Sequence, residues 1–222
     1  MPELIITIDG PAGVGKSTVA QLLAQRLGIA FLDTGAMYRA VTLAAMQKKT
    51  DLANESDLLE LLRETDLKFS IVENQMKVVA DGIDITERIR DTAVTANVRH
   101  TADAPRLRAE LVKMQRRFAQ EHKRIVTEGR DQGTIAFADA DFKFFLTADL
   151  AERARRRQEQ LAQTGQNLDI EKIQADIAGR DATDENRTVG PLTPARDAII
   201  INTTRLDAEG VVEKIMEHIE GE

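Results

Sequence analysis

Residues 4–18 read LIITIDGPAGVGKST and decide the fold. Positions 5–8 form an uncharged, β-branched run, which is typical of a strand buried on both faces. The pattern Gly-x-x-x-x-Gly-Lys-Ser follows directly at 10–17, and apolar residues then recur at helical spacing. A strand, a glycine-rich loop and a helix in this order are the context that a phosphate-binding P-loop requires. A chance glycine-rich turn is the alternative, and both flanking elements argue against it.

The residue types of this loop suit a triphosphate. Successive backbone N–H groups wrap a phosphate chain only where the backbone approaches closely, with angles that a Cβ hinders, and this explains glycine at 10, 13 and 15. The N-terminus of the next helix adds free N–H groups and partial positive charge. We expect Lys16 to reach the β- and γ-phosphates from a loop–helix junction outside the core, and Ser17 to offer its hydroxyl to Mg²⁺. The predicted triphosphate site is Gly10, Pro11, Ala12, Gly13, Val14, Gly15, Lys16, Ser17 and Thr18.

Composition limits the class of protein. With 222 residues, of which 42% are hydrophobic and 30% charged, the chain is long enough for one well-cored domain and a mobile appendage. It has no cysteine, and its three histidines lack ligand spacing, which excludes disulfides and thiolate metal sites. The N-terminus carries no basic region before its short apolar run, so we expect no signal peptide, no membrane span and a cytoplasmic location.

The charge pattern favours a small anion as ligand. A net charge of −7 with only 4% aromatic residues disfavours nucleic-acid binding, which makes an RNA-binding protein the weakest alternative. Arginine is nevertheless concentrated in the part of the chain from residue 124 onward. Local positive charge in an acidic protein suits binding of a small anion.

The remaining chain alternates strands with helices and so predicts an α/β protein. Its fold class is a P-loop NTPase-type three-layer fold: a five-stranded parallel sheet flanked by helices, with a small antiparallel β insertion and a helical lid. We expect one domain, 1–222, divided into a core (1–33, 104–150 and 190–222), a substrate-binding region that carries the β insertion (34–103) and a lid (151–189). The predicted strands are 29–33, 68–72, 76–80, 83–85, 124–131, 143–146 and 198–201, and the predicted helices are 34–48, 54–65, 91–100, 104–120 and 208–219.

Polar residues follow two of the predicted parallel strands. Thr34 and Arg39 come after the second strand, and Glu128, Arg130 and Asp131 close the third. Open α/β sheets bind ligands at the carboxyl ends of their strands, so these side chains are predicted to face the P-loop. An acid that ends an apolar strand suits Mg²⁺ and its waters, which makes Glu128 a metal-site candidate. The alternatives are a solvated arginine at 39 and a structural acid at 128.

The segment 150–194 is predicted to be a helical hairpin with its bend at 163–167. Arg153, Arg156 and Arg157 lie on the first helix, and Arg180 and Arg187 lie at the end of the second. Facing arginine rows are expected to hold anions between them, although a salt-bridged solvated hairpin is an alternative. A P-loop, a strand-end acid and arginines on a closing segment together indicate phosphoryl transfer. The predicted catalytic residues are Lys16, Arg130, Arg153, Arg157 and Arg187.

The chain resembles the bacterial cytidylate kinases of the nucleoside monophosphate kinase group. The resemblance runs essentially end to end, through IDGPAGVGKST at 8–18, LDTGAMYR at 32–39, PRLR at 105–108, EGRDQGT at 128–134, ERARRR at 152–157 and RDATDENRTVGPLTPA at 180–195. It implies transfer of the γ-phosphoryl group of ATP to CMP or dCMP, with Mg²⁺ bound to the ATP phosphates, in pyrimidine nucleotide metabolism. Another nucleoside monophosphate as acceptor, and a nucleotide-gated binding protein without kinase activity, are the alternatives.

The resemblance also implies which residues bind CMP. Phosphate would bind to Arg39, Arg130 and Arg187, and the ribose hydroxyls to Arg180 and Asp184. Arg108 and Asp131 would bind cytosine, which agrees with its chemistry, because a carboxylate suits the N4 amino group and an arginine suits the N3 and O2 acceptors. Uracil reverses this pattern at N3 and position 4 and would leave buried polar groups unpaired. The full set of predicted CMP-binding residues is Thr34, Arg39, Arg99, Arg108, Arg130, Asp131, Arg180, Asp184 and Arg187, in which Arg99 stands where the family usually has a serine. We expect ATP and CMP or dCMP as partners of a monomer, and neither nucleic acid nor membrane.

Overall fold

A computed structural model describes residues 3–163 and 165–221. The first two residues of the predicted N-terminal segment, and Thr164 in the predicted bend of the lid, lie outside the described residues. In chain order the elements are β1 (Leu4–Asp9), α1 (Lys16–Leu27), β2 (Ala30–Asp33), α2 (Thr34–Lys48), α3 (Glu55–Glu64), β3 (Leu67–Val72), β4 (Gln75–Ala80), β5 (Ile83–Asp84), α4 (Thr92–Ala102), α5 (Pro105–His122), β6 (Arg124–Gly129), β7 (Phe142–Thr147), α6 (Leu150–Gln163), α7 (Ile170–Glu185), β8 (Ile199–Asn202) and α8 (Ala208–Glu220).

The central sheet is parallel and has the strand order β2-β6-β1-β7-β8. Strand β1 lies in the middle of this sheet. Its apolar residues suit that position, because a central strand of a parallel sheet is covered on both faces. The register pairs Asp9 with Gly129 and Asp33 with Glu128, so the chain leaves β1, β2 and β6 at one edge of the sheet. The predicted parallel sheet is confirmed, and this edge carries the candidate site.

Two apolar clusters cover the two faces of the sheet. Adjacent residues of β6, Ile125 and Val126, belong to different clusters, as the alternation of side chains along a strand requires. The cluster around Val126 includes α1 and α8, and the cluster around Ile125 includes α2, α3 and α5. Helices therefore lie on both faces, which confirms the three-layer architecture.

The predicted β insertion is also confirmed. Strands β3, β4 and β5 form a separate antiparallel sheet. Its first turn is tighter than predicted, because Val72 pairs directly with Gln75 and only Glu73 and Asn74 lie between them, both with positive φ. Met76 and Val78 of β4 point into the cluster that contains α2 and α5, so the insertion shares a core with the main domain.

Several boundaries differ from the prediction. Helices α4 and α5 each continue two residues further than expected, and β6 ends at Gly129 instead of Asp131. The segment Gln132–Ala136 forms a short π-helical turn that the sequence pattern did not indicate. Along 3–163 and 165–221, every helix is too short or too polar to cross a membrane.

Candidate active site

The P-loop has the backbone that its glycines permit. Gly10, Gly13 and Gly15 have φ values of +147°, +80° and +93°, which side chains rarely tolerate. Neighbouring elements also crowd two of them. A Cβ at Gly10 would overlap the carbonyl oxygen of Leu146 on β7, and one at Gly13 would lie 3.2 Å from the Cβ of Arg153. Glycine at these two positions therefore serves packing as well as phosphate approach.

Lys16 begins α1, as predicted, but the expectation that it lies outside the core is wrong. Its side chain is buried, and its Nζ donates to the carbonyl of Pro11 at 2.8 Å. Burial and, to a smaller extent, the nearby Arg130 lower the pKa of Lys16 to about 7, against the opposing effect of Glu128 and Asp9. The carbonyl of Pro11 thus holds the Lys16 amine against the P-loop.

Ser17 and Glu128, the two predicted metal-site residues, are in contact. The hydroxyl of Ser17 donates to Oε1 of Glu128 at 2.8 Å, and the hydroxyl of Thr34 donates to the main-chain carbonyl of Glu128 at 2.7 Å. Burial raises the pKa of Glu128, and the nearby Asp33 adds to this effect. A hydroxyl and a carboxylate are oxygen ligands that suit Mg²⁺. The described residues contain no group of three or more His, Cys, Asp or Glu able to hold a metal, so most ligands of a magnesium ion would be phosphate and water.

The structure brings three predicted CMP-binding residues together through one carboxylate. Asp184 accepts from Nε of Arg130 at 2.7 Å and from Nη2 of Arg187 at 2.5 Å. Arg187 also donates from Nε to Asp103 at 2.8 Å. The strand-end arginine and the arginine beyond α7 thus share an acidic partner, although 57 positions separate Arg130 from Arg187 in the sequence.

A second group of arginines surrounds Arg39. Its Nη1 donates to Oγ1 of Thr95 at 2.7 Å and to the carbonyl of Ile89 at 3.4 Å. Burial lowers the pKa of Arg39, Asp33 opposes this, and the guanidinium groups of Arg180, Arg90 and Arg157 lower it further. These cations therefore face one region and repel one another, an arrangement that a bound anion would relieve.

Arg108 and Asp131 form a buried ion pair. The guanidinium group lies over the ring of Tyr38, 5.4 Å from its centroid, and also donates to the carbonyl of Ala102 at 2.9 Å. Burial raises the pKa of Tyr38 to about 12. The main chain at Gly190 closes over the pair so tightly that a Cβ there would overlap both side chains. The two predicted base-recognition residues thus lie together, bonded to each other.

The arginines of the helical hairpin have other partners than predicted. Arg153 donates to the carbonyls of Ala148 and Ala12 at 3.1 Å each and pairs with Asp181, whose carboxylate accepts from the N–H of Ala12 at 3.3 Å. Arg156 bonds the carbonyls of Thr203 and Leu206. Arg153 and Arg156 therefore bind groups of the protein itself, and these contacts connect the α6–α7 hairpin with the P-loop and with the loop between β8 and α8.

Two arginines of the predicted hairpin are not neutralised by a carboxylate in the described part of the chain. Among the described residues, neither Arg157 nor Arg180 has a carboxylate within ion-pair distance; Arg157 donates only to Gln160, at 2.7 Å. Burial lowers the pKa of Arg157, and the nearby Arg180 lowers it further. With Arg39 these side chains form the unneutralised part of the site.

Two predicted residues stand apart from these contacts. Arg99 is exposed on α4, and its side chain makes no hydrogen bond or ion pair within the described part of the chain. Thr18 is exposed in the first turn of α1. Sequence reasoning missed Asp9, Asp33 and Asp181. The first two had a signal, since each acid closes an apolar strand, and Asp181 stands in the quoted segment at 180–195, although no role was predicted for it.

The sequence did not predict a cavity of about 460 Å³ in the structure. It lies between α6 and the loop that follows β8, and Thr203 of that loop donates to the carbonyl of Val14 at 3.3 Å. The cavity is lined by Glu152, Arg155, Arg156, Thr204, Arg205, Leu206 and Asp207.

Comparison with known proteins identifies the family. The family model described as Cytidylate kinase matches residues 6–221. The chain belongs to the cytidylate kinase family. A cytidylate kinase from Pelotomaculum thermopropionicum is 46% identical over 96% of this chain and 95% of its own, and one from Caldanaerobacter subterraneus subsp. tengcongensis is 45% identical over 96% and 93%. An uncharacterized protein from Eubacterium ventriosum shares the fold, with a TM-score of 0.53 at 16% identity over 99% of both chains. The family resemblance of the sequence is thereby confirmed.

Proposed function

We propose that the protein transfers the γ-phosphoryl group of ATP to CMP or dCMP, giving ADP and CDP or dCDP. One observation carries this proposal: two cationic groups of residues face the same edge of the sheet. The first is the P-loop with Lys16, and the second contains Arg39, Arg130 and Arg187. A kinase needs such a pair, because donor and acceptor phosphates must meet with their charge neutralised.

In the acceptor site, the CMP phosphate would replace the carboxylate of Asp184 as the partner of two arginines. Asp184 now bonds Arg130 and Arg187, and a CMP phosphate carries more charge and more acceptor oxygens than this carboxylate. The phosphate is therefore expected to take over these arginines, which frees Asp184 for the ribose hydroxyls. Arg180 would join Asp184 at the ribose hydroxyls, and Arg157 would neutralise the charge on the moving phosphoryl group.

The chain's own residues would also hold the cation that accompanies ATP. The hydroxyl of Ser17 and, through water, the carboxylate of Glu128 are its ligands in this proposal. A Mg²⁺ ion held there would supply positive charge that neutralises the ATP phosphates. Base recognition would rest on Arg108 and Asp131, which exchange their mutual bond for the N3, O2 and N4 groups of cytosine.

The proposed division of the chain into segments rests on the contacts of the same arginines. We assign the segment 34–103 to the acceptor, the segment 151–189 to the lid and the rest to the core. The contacts of Arg39 with residues 89 and 95, and of Arg153 with the P-loop, support this division. A monomeric state and a cytoplasmic location stay predictions.

A coupled assay of ADP release with CMP, dCMP, UMP, AMP and GMP tests the proposal. CMP and dCMP should be phosphorylated with the highest kcat/KM, and activity with CMP no greater than with UMP or AMP would reject it. Replacing Asp131 by Asn should reduce the preference for CMP over UMP, because an amide presents a donor as well as an acceptor to N4. Calorimetric binding of CMP without ATP separates a kinase from a nucleotide-gated binding protein, which should show none.

A further inference from the structure

Asp9 is a buried acid to which the proposed reaction gives no role. It ends β1, immediately before the P-loop, and is 4% exposed. Its two oxygens accept from two consecutive main-chain N–H groups, Oδ1 from Gln132 at 2.9 Å and Oδ2 from Gly133 at 2.8 Å. Burial raises the pKa of Asp9 to about 6, and these two N–H groups oppose the rise, so the carboxylate is ionised at neutral pH.

The two N–H groups begin the π-helical turn Gln132–Ala136. The hydrogen bonds of this turn run from Ala136 back to Asp131 and from Phe137 back to Gln132, which leaves the leading N–H groups without partners inside the turn. An aspartate just before such a turn normally caps it with its own side chain. Asp131 occupies that capping position, yet its side chain makes no capping bond and pairs with Arg108 instead.

We infer that Asp9 is a positioning residue for recognition of the acceptor base: by capping this turn from β1, it leaves the carboxylate of Asp131 to Arg108 and to cytosine. The inference deepens the proposed function and rests on it for the identity of the base. Without Asp9 the leading N–H groups lose their acceptor, and Asp131, as the N-cap residue of the turn, has a carboxylate that can replace it. Asp131 would then turn away from Arg108.

The geometry requires a carboxylate at position 9. Each oxygen accepts one N–H group, whereas an asparagine has one acceptor and would direct its NH₂ group at the second N–H. The turn has little room to adjust, because the hydroxyl of Thr127 donates to the side-chain oxygen of Gln132 at 3.0 Å and a Cβ at Gly133 would lie 3.0 Å from Oγ1 of Thr7.

The kinetic test compares Asp9→Asn with Thr7→Val in the full-length protein. Thr7 is a matched control, since it is fully buried on the same strand against the same turn and its hydroxyl has no partner among the described residues. In Asp9→Asn the ratio of kcat/KM for CMP to that for UMP should fall about tenfold or more. Thr7→Val should keep the wild-type ratio.

A double-mutant comparison separates this role from general damage. With Asp131→Asn already present, Asp9→Asn should hardly change the CMP-to-UMP ratio further, because the group that it displaces is gone. Asp9→Glu keeps both oxygens on a longer side chain and should lower the ratio in the same direction; it replaces Asp9→Asn if that variant does not fold. An unchanged ratio, or an equal loss of kcat/KM with CMP and UMP, would overturn the inference.

A spectroscopic measurement tests the positioning without any activity. Tyr38 is the only tyrosine, the chain has no tryptophan, and its ring lies against Arg108. Tyrosine fluorescence therefore reports on the Arg108–Asp131 pair. Asp9→Asn and Asp131→Asn should change it in the same direction, and Thr7→Val should resemble the wild type. If the wild type does not phosphorylate CMP, the proposed function fails while this readout still tests the capping role; fluorescence of Asp9→Asn equal to the wild type would overturn that role.

Discussion

Buried cations in this protein are mostly neutralised by carboxylates of the same chain. Arg108 pairs with Asp131, Arg153 with Asp181, and Arg130 shares Asp184 with a second arginine. A guanidinium group without such a partner in a buried place would cost several kcal/mol, roughly, because burial removes its hydration. The carboxylates therefore keep the arginines folded inward before any nucleotide binds.

Lys16 has a buried amine whose lowered pKa is only partly restored by the nearby acids. Its titration should therefore report ATP binding. Its pKa is lowered to about 7, so at pH 8 the amine is mostly neutral in the nucleotide-free protein. A bound triphosphate favours the ammonium form and raises this pKa, so ATP binding at pH 8 should take up about one proton. Calorimetric titration of ATP in two buffers with different ionisation enthalpies measures the uptake.

Lys16→Met provides the control for this measurement. It removes the titrating amine, so residual ATP binding should show the same enthalpy in both buffers. Equal enthalpies for the wild type as well would contradict the lowered pKa.

At the level of elements, the α6–α7 hairpin is attached to the body mainly by polar contacts. Its own buried apolar residues are few, Ala154, Ile173 and Ile177. Asp181 on α7 holds both Arg153 and the N–H of Ala12, and so connects each helix of the hairpin with the P-loop. A segment with a small core and charged attachments is suited to opening and closing.

Asp181→Ala should loosen this attachment. It removes two hydrogen bonds, one of them to a charged group, which together stabilise the closed hairpin by about 2 kcal/mol. Amide hydrogen exchange, followed by mass spectrometry of a peptide that contains Ala12, should become faster by about tenfold or more. Glu185→Ala is the matched control, because Glu185 is exposed on the same helix. Equal acceleration in both variants, or none in Asp181→Ala, would show that Asp181 does not hold the hairpin.

At the scale of the whole molecule, the insertion is part of the main core. Val78 of β4 is fully buried in the cluster that contains Leu32 of the sheet and Leu107 of α5. The β3–β5 insertion therefore cannot unfold without exposing the core beneath it. We expect one cooperative unfolding transition for the described domain.

A pair of identical substitutions in the small sheet tests this coupling. Val78→Ala removes two methyl groups from a buried site and should cost about 2 kcal/mol, which lowers Tm of the whole transition by about 4–8 °C. Val72→Ala, at a position that is 50% exposed on β3, should shift Tm by less than about 2 °C. Calorimetry measures both. A separate early transition in Val78→Ala would show that the insertion unfolds alone.

The amino-acid sequence by itself determined the order of strands and helices, the P-loop, the strand-end residues Arg130 and Asp131, and the family. These features depend on local spacing: apolar runs, helical periodicity and glycine at fixed offsets can be recognised without distant contacts. Even the antiparallel insertion was recognisable from its turns.

Only the tertiary structure decided which groups meet. The burial of Lys16, the partnership of Asp181 with Arg153 and Ala12, and the capping of residues 132 and 133 by Asp9 join residues up to 169 positions apart. No local pattern encodes such pairs, because the sequence offers many arginines and N–H groups as possible partners for a carboxylate on a helix or at a strand end. Packing of the layers selects the partners of each of these groups. The resulting burial shifts the pKa of side chains such as Lys16 and Asp9.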